Sequence, residues 1–264
     1  MPEGDTVLVT ATRLHQALAG RRLLGTDFRV PSFATSDLSG RTVDRVDARG
    51  KHPLMRTDAD IAIHSHLKME GEWQVHARGS RWRGPPHEVR AVLTTETTVA
   101  VGLRLGVVEL LTASQETEAL GHLGPDVLGG DWDADEAARR LTADPDRAVH
   151  AAIQDQRVMA GPGNVYANEV CFLRGLHPST PVGDVAGPGA LVSLMRRVMW
   201  AKRITGRQIT TGDTRRGRER WVYGRQGRPC LRCGTIIRGE HLDGPARVRY
   251  SCPACQPGSG EASG

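Results

Sequence analysis

The chain has 264 residues, 39% hydrophobic, 25% charged and 4% aromatic, enough for one large domain or two ordinary ones with proper cores. Near-average charged and apolar fractions exclude wholesale disorder and collagen-like repeats, and the lack of any 18-residue apolar run excludes a transmembrane helix. The net charge of +5 hides an unusual make-up: 32 of the 35 basic residues are arginine. Each of the three lysines, Lys51, Lys68 and Lys202, therefore stands out as a position where a primary amine is wanted.

The charge is also uneven. From Lys202 to Arg249 there are 13 basic residues against four acidic ones, whereas Ala113 to His150 holds nine acidic residues against three arginines. A basic block of this kind suits a polyanion, with a solvated surface as the plain alternative. The start carries Glu3, Asp5, Arg13 and His15 without a continuous apolar stretch, so no secretory signal is expected. Five cysteines are too few for a disulfide scaffold, and a cytoplasmic location is expected.

In chain order, Asp5 or Thr6 is placed to cap a helix whose apolar face is Val7, Ala11, Leu14 and Leu18, ending at Gly20. Short β-type runs follow at 23–30, 41–47, 52–56, 61–66, 71–76, 88–95, 98–103 and 107–111, a spacing that predicts a β-sandwich or barrel. Gly-Pro and Gly-Gly breaks make 121–134 read as a linker. Helical patterns occupy 135–141, 148–159, 165–174 and 190–202, and a Gly/Arg-rich stretch from Thr210 reads as a loop. The expected division is 1–120 (helix plus β-sandwich), 121–134 (linker), 135–226 (helical), 227–256 (metal finger) and 257–264 (Gly/Ser tail).

Four cysteines form the strongest motif. Cys230-x-x-Cys233 and Cys252-x-x-Cys255 supply four thiolates, the closed tetrahedral set of one structural Zn2+. Four protein ligands leave no position for a reacting water. Between the knuckles, Thr235-Ile-Ile and Val248-Arg-Tyr predict a hairpin from which Arg238, Arg247 and Arg249 project. Cys171, in an apolar helical run, is expected to be buried and inert. Upstream, Gly161-Pro-Gly163-Asn164 joins two helical patterns. Its glycines permit close backbone approach, and the second helix's N-terminus, capped by Asn164, suits a phosphate. Finally, removal of Met1 from Met1-Pro2-Glu3-Gly4 exposes a secondary amine. Such an amine attacks an aldehyde carbon to give an iminium, with an adjacent carboxyl to shuttle protons.

Taken together, the Pro2-Glu3 start, Gly50-Lys51, the Gly-x-Gly-Asn turn and the four-cysteine finger resemble one family in its own order. That family is the Fpg/Nei (formamidopyrimidine-DNA glycosylase and endonuclease VIII) base-excision glycosylases, and the resemblance runs from Pro2 to Gln256. It implies an α+β multidomain fold: an N-terminal helix and β-sandwich, then a helix–two-turn–helix domain with a four-cysteine zinc finger. It implies a bifunctional glycosylase/AP lyase whose partner is double-stranded DNA holding a damaged base or abasic site, acting as a nucleoid-associated monomer without a membrane.

Residue by residue, the resemblance makes Pro2 the nucleophile at C1′, Glu3 the acid/base and Lys51 the turn lysine at the site. Arg247 matches the finger arginine that completes this set by holding phosphate. Asn164, with Gly163, matches the phosphate-binding turn, and Met69 matches the residue that enters the stack when the lesion is flipped out. Lys68 beside it is in reach of phosphate on position alone.

The Pro-Glu-Gly-Asp-Thr start resembles an actinobacterial endonuclease VIII-like subgroup, which implies oxidised pyrimidines as substrates. Thr6 stands where both branches often place a second glutamate. Leu103 and Leu105 stand where the formamidopyrimidine branch inserts an arginine and a phenylalanine opposite the lesion, so weaker opposite-base selectivity is expected. Thr210–Gln226 occupies the position of that branch's lesion-capping loop. The alternatives are a catalytically silent damaged-DNA-binding relative, an 8-oxoguanine-type preference, and a zinc-ribbon adaptor with no DNA role.

Overall fold

The computed structural model describes residues 2–204, 206–242 and 248–258, and the chain divides into two compact units meeting at His122/Leu123. Arg247 and most of the expected 257–264 tail lie outside the described residues.

The first unit opens with helix α1 (Gly4–Leu18), whose Val7, Ala11, Leu14 and Leu18 are all buried, as their spacing requires. The expected Asp5/Thr6 cap is not used. Asp5 instead accepts its neighbour Thr6 N–H at 2.8 Å, and Glu3 is the N-cap, its carbonyl accepting Val7 N–H at 3.0 Å. The helix thus begins at the residue after Glu3.

Nine strands follow: β1 (Arg21–Arg22), β2 (Gly25–Phe28), β3 (Thr42–Arg49), β4 (His52–Thr57), β5 (Ile61–His66), β6 (Glu72–Ala77), β7 (Val89–Thr94), β8 (Thr98–Leu103) and β9 (Val107–Thr112). They form two sheets, β1-β3-β4-β5-β9 and β2-β7-β8-β6, with antiparallel pairing throughout. The expected run over 23–30 is shorter, with β2 spanning only Gly25–Phe28, and β1 lies before it; the buried Leu23 stands between the two, which belong to different sheets. Phe28, Val43, Met55, Ile63 and Leu93 join the buried α1 residues in one core. A helix α2 (Ala113–Leu120) closes the unit. It was not among the expected elements, although Thr112 and Gln115 form a reciprocal capping box that is visible in the sequence.

The second unit holds α3 (Ala134–Leu141), α4 (Val149–Gln154), α5 (Asn164–Arg174) and α6 (Pro188–Trp200) around a core containing Leu141, Tyr166, Val170, Leu191 and Met195. Two short strands, β10 (Arg238–His241) and β11 (Val248–Ser251), pair antiparallel. Three expectations are corrected here. The 121–134 stretch is not a free linker, because Leu123 and Val127 are buried and Asp126 bridges to Ala160. Helix α4 stops at Gln154, since the Asp155 carboxylate accepts Arg157 N–H at 3.0 Å and starts a turn. In the finger, Ile237 is buried ahead of the strand, and the hairpin begins at Arg238, three residues later than the expected start at Thr235. Among the described residues no helix is long and apolar enough to cross a membrane.

Candidate active site

In the first unit, three backbone features bring the candidate residues to one end. Val46 N–H donates to His15 Nδ1 at 3.1 Å, and Gly20 N–H donates to Val43 O at 2.7 Å. Helix α1 therefore runs against the direction of β3. Going back from His15 to Glu3 covers about 18 Å of helix, while going forward from Val46 to Gly50 covers about 13 Å of strand. Pro2-Glu3 and the Gly50-Lys51 turn lie at the same end. Because β4 pairs antiparallel with β5, with Leu54 opposite His64, His52 meets His66 there too, and the turn carrying Lys68 and Met69 follows.

The turns are conformationally specialised. Gly50 has φ +57°, the left-handed geometry that a two-residue hairpin turn requires. Lys68 has φ +51° with a full side chain, an arrangement of the strained type that concentrates at functional sites. Its amide donates to His66 Nδ1 at 2.9 Å, and its stem lies across Gly106, where a Cβ would come within 2.1 Å of Lys68 Cγ. Pro2 and Lys51 are half-buried, and Glu3 is fully buried. Met69 is 52% exposed, an apolar side chain standing in solvent and not in the core. Leu103 and Leu105, by contrast, are buried in the first unit and cannot enter a base stack without leaving it. Arg104 between them is tied to Glu88 and Glu72.

Four residues at this end carried no assignment from sequence. His52 Nδ1 lies 2.8 Å from His64 Nε2, and His64 Nδ1 lies 2.9 Å from Glu109 Oε2. His66 packs edge-on against His52, with ring centroids 4.8 Å apart. Burial, then the charges of His66, His64, His122 and Lys68, hold His52 down at about 3. Burial, then Lys68, Lys51 and His64, hold His66 at about 4. Both rings are neutral near pH 7. The signal was the alternation in Ile-Ala-Ile-His64-Ser-His66, which puts two histidines on one strand face.

In the second unit, Gly163 and not Asn164 is the N-cap of α5. The Asn164 side chain is buried: His150 Nε2 donates to its Oδ1 at 2.9 Å, and its Nδ2 donates to Val248 O at 3.3 Å. Asn168 extends the link to β11, its Nδ2 donating to Val248 O and its Oδ1 accepting Tyr250 N–H at 2.6 Å. Glu169, given no role from sequence, is fully buried. Its carboxylate accepts the N–H groups of Trp221, Val222 and Tyr223 at 2.8–2.9 Å and the Thr210 hydroxyl. The Thr210–Gln226 segment is thus pinned at two points to α5.

The Sγ atoms of Cys230, Cys233, Cys252 and Cys255 all lie within 4.8 Å of one another. A tetrahedron with metal–sulfur bonds of about 2.3 Å has sulfurs roughly 3.8 Å apart, so four thiolates so placed fit a metal. Cys171 stands apart, its thiol pushed up to about 12 by burial, as expected for an inert cysteine. Arg238 is exposed, as expected. Arg249 is not projecting: it is half-buried, with Nη1 3.2 Å from Ser179 Oγ and 3.6 Å from Glu240.

The formamidopyrimidine-DNA glycosylase N-terminal domain model matches residues 1–106, and the H2TH domain model of the same enzyme matches residues 123–205. The chain is 49% identical over 259 residues to the DNA-(apurinic or apyrimidinic site) lyase Nei2 of Mycolicibacterium smegmatis, covering 98% of this chain and all of the relative. It is 51% identical over 263 residues to the probable endonuclease 8 2 of Streptomyces coelicolor, covering 98% and 95%. Identity to the formamidopyrimidine-DNA glycosylase of Alkalilimnicola ehrlichii is 32% over 280 residues, covering 97% of this chain and all of that one. The Lactococcus lactis Fpg, solved with abasic-site DNA, superposes with a TM-score of 0.82 at 21% identity, covering 97% of this chain and all of that one, and so shares the fold. Fold, order of elements and near-complete coverage agree: the chain belongs to the Fpg/Nei family of DNA glycosylases.

Proposed function

We propose that this protein is a bifunctional DNA glycosylase and abasic-site lyase that removes oxidised bases, pyrimidines foremost, and cuts both sides of the emptied sugar. One observation carries the reading: Pro2 heads α1 at the same end of the first unit as Lys51, with the Glu3 carboxyl buried next to it in sequence. The preference for pyrimidines rests on the higher identity to endonuclease 8 relatives than to a formamidopyrimidine-DNA glycosylase.

The damaged nucleotide leaves the stack at a cost of a few kcal/mol, and Met69 fills the gap. The Pro2 nitrogen then bonds to C1′ as the glycosidic bond breaks, and the sugar ring opens with Glu3 supplying the proton. The resulting iminium acidifies C2′–H. Its removal expels the 3′ phosphate, and a second elimination expels the 5′ phosphate. Lys51, Lys68 and Arg247 supply positive charge for phosphate, and Asn164 with Gly163 holds the backbone from the helix–two-turn–helix element.

Within the second unit, 135–226 acts as that element and 227–256 as a finger holding one Zn2+ through Cys230, Cys233, Cys252 and Cys255. The ion's part is structural. The protein acts on duplex DNA as a monomer.

The test is borohydride trapping on abasic-site DNA. A covalent protein–DNA adduct is expected from chain lacking Met1 and absent from Pro2→Ala. DNA binding without any adduct would favour a silent damage-recognition relative, and an undiminished adduct from Pro2→Ala would sink the mechanism.

A further inference from the structure

Residues that face each other across neighbouring strands share one face of a sheet. Leu54, His64 and Glu109 are such a set across β4, β5 and β9. Met55 and Ile63, which belong to the sandwich core, occupy the opposite face. The histidines therefore stand on the side of the sheet turned away from the core. His52 shares that face with Leu54, two residues along, and directly follows Lys51.

The hydrogen-bond polarity of this row is fixed from one end. An ionised carboxylate only accepts, so Glu109 requires a proton on His64 Nδ1. In the single-proton form of His64 its Nε2 then accepts, and the proton between the rings belongs to His52 Nδ1. His52 Nε2 is left as a bare lone pair. Three strands are needed to hold this one nitrogen, and it sits among the Lys51 turn, His66 and Lys68. A neutral acceptor there lets two ammonium groups share the site without a third positive charge. Carboxylate–imidazole pairs that fix a tautomer recur wherever a side chain's orientation matters to chemistry.

We propose that Glu109, His64 and His52 form a positioning relay for the lyase site: Glu109 sets the tautomer of His64, His64 sets that of His52, and the oriented His52 ring holds the Lys51 turn in its working geometry. The relay rests on the lyase reading above. Neither His64 nor Glu109 is itself assigned to phosphate, so the rate of strand cleavage should fall far more than DNA affinity, which the relay touches only through Lys51, one of several phosphate contacts.

Two measurements decide it. The first is the single-turnover cleavage rate on a duplex with one abasic site, alongside the Kd for the same duplex carrying an uncleavable tetrahydrofuran analogue. His64→Phe keeps a flat ring but loses both hydrogen bonds, and about a tenfold slower rate with Kd within twofold is expected. Glu109→Ala is expected to slow cleavage about threefold. Glu109→Gln, whose amide oxygen can accept the same proton, restores the rate to within twofold. Because the Glu109 side chain is 43% exposed against 5% for His64, its variants carry the test should His64→Phe fail to fold. The second measurement is the imidazole nitrogen spectrum of the DNA-free wild type at pH 7. His52 is expected protonated on Nδ1 and bare at Nε2, with mixed tautomers in Glu109→Ala.

A folded His64→Phe or Glu109→Ala that cleaves at the wild-type rate overturns the relay, as does a wild-type His52 protonated at Nε2. Wild type that neither cleaves nor traps would defeat the lyase reading instead, and the spectrum would still decide the tautomer chain.

Discussion

The two units carry their functional side chains in opposite ways. In the first, Pro2, Lys51, Lys68 and Met69 sit on a helix head and on turns, half-buried or exposed, with Glu3 the one buried member. In the second, His150, Asn164, Asn168 and Glu169 are all buried in a polar network tying α5 to β11 and to Trp221–Tyr223. Groups on turns can be altered without opening a core, whereas a buried polar network is costly to leave partly satisfied. Function and stability should therefore be separable in the first unit and coupled in the second.

The harshest way to break this contrast is to strip the Zn2+ proposed for the finger. The finger's apolar cluster is small, built from Phe172, Val222, Cys230, Ile237 and Cys252, and structural zinc sites supply folding energy directly. One Zn2+ per chain is expected by metal analysis. A chelator or Cys233→Ser should weaken duplex-DNA binding at least tenfold and expose the amides of β10 and β11 to hydrogen exchange. The β4 and β5 amides should keep their protection. Equal loss of protection in both units would show that they are not energetically distinct.

A gentler break lies at Glu169. Glu169→Ala would leave the N–H groups of Trp221, Val222 and Tyr223 without their acceptor. The expected loss is about 3 kcal/mol, or roughly 6–12 °C in the Tm of a unit this size. Glu169→Gln keeps an acceptor and should lose less. Thermal unfolding of both variants checks this, and an unchanged Tm in Glu169→Ala would mean that water replaces the carboxylate cheaply.

The same contrast explains what could be read in advance. Helix α1 was legible because its apolar residues repeat cleanly against one core, and strands β5 and β8 because each is a short β-type run bounded by turn residues, so that their expected bounds match the structure. The four cysteines were legible because metal ligation imposes a spacing. Asn164 was legible as a position but not as a cap, since its side chain answers to His150 and Val248, partners 14 and 84 residues away. Glu169 and the Glu109–His64–His52 row were missed for the same reason: their meaning depends on which strands or loops become neighbours. Leu103 and Leu105 show the reverse, being noticed by position and then claimed by the core.

Acid should sharpen the comparison through the first unit. His52 and His66 titrate near 6.5 when unfolded but are held at about 3 and about 4 in the fold. As pH falls below 6.5 the unfolded chain takes up these protons first. Their stabilisation is fully present above that pH and is lost as pH falls toward the folded values, on the order of a few kcal/mol by pH 4. Tm should drop between pH 7 and pH 5, and more shallowly in His52→Gln/His66→Gln. Equal slopes in wild type and double variant would show that other groups control acid unfolding.

The smallest expected change in stability belongs to Met69, and it tests the contrast most directly. An exposed side chain on a turn has little packing to lose, so Met69→Ala should shift unfolding by no more than about 0.5 kcal/mol. If the side chain fills the gap left by an extruded nucleotide, the same change should slow excision of an oxidised pyrimidine from duplex DNA by about tenfold. Cleavage at a preformed abasic site should suffer less, because no base remains to be unstacked. Met69→Leu, which keeps the apolar volume, should recover most of the excision rate. Equal effects on both substrates would remove Met69 from the extrusion step and leave it as a surface residue near the site.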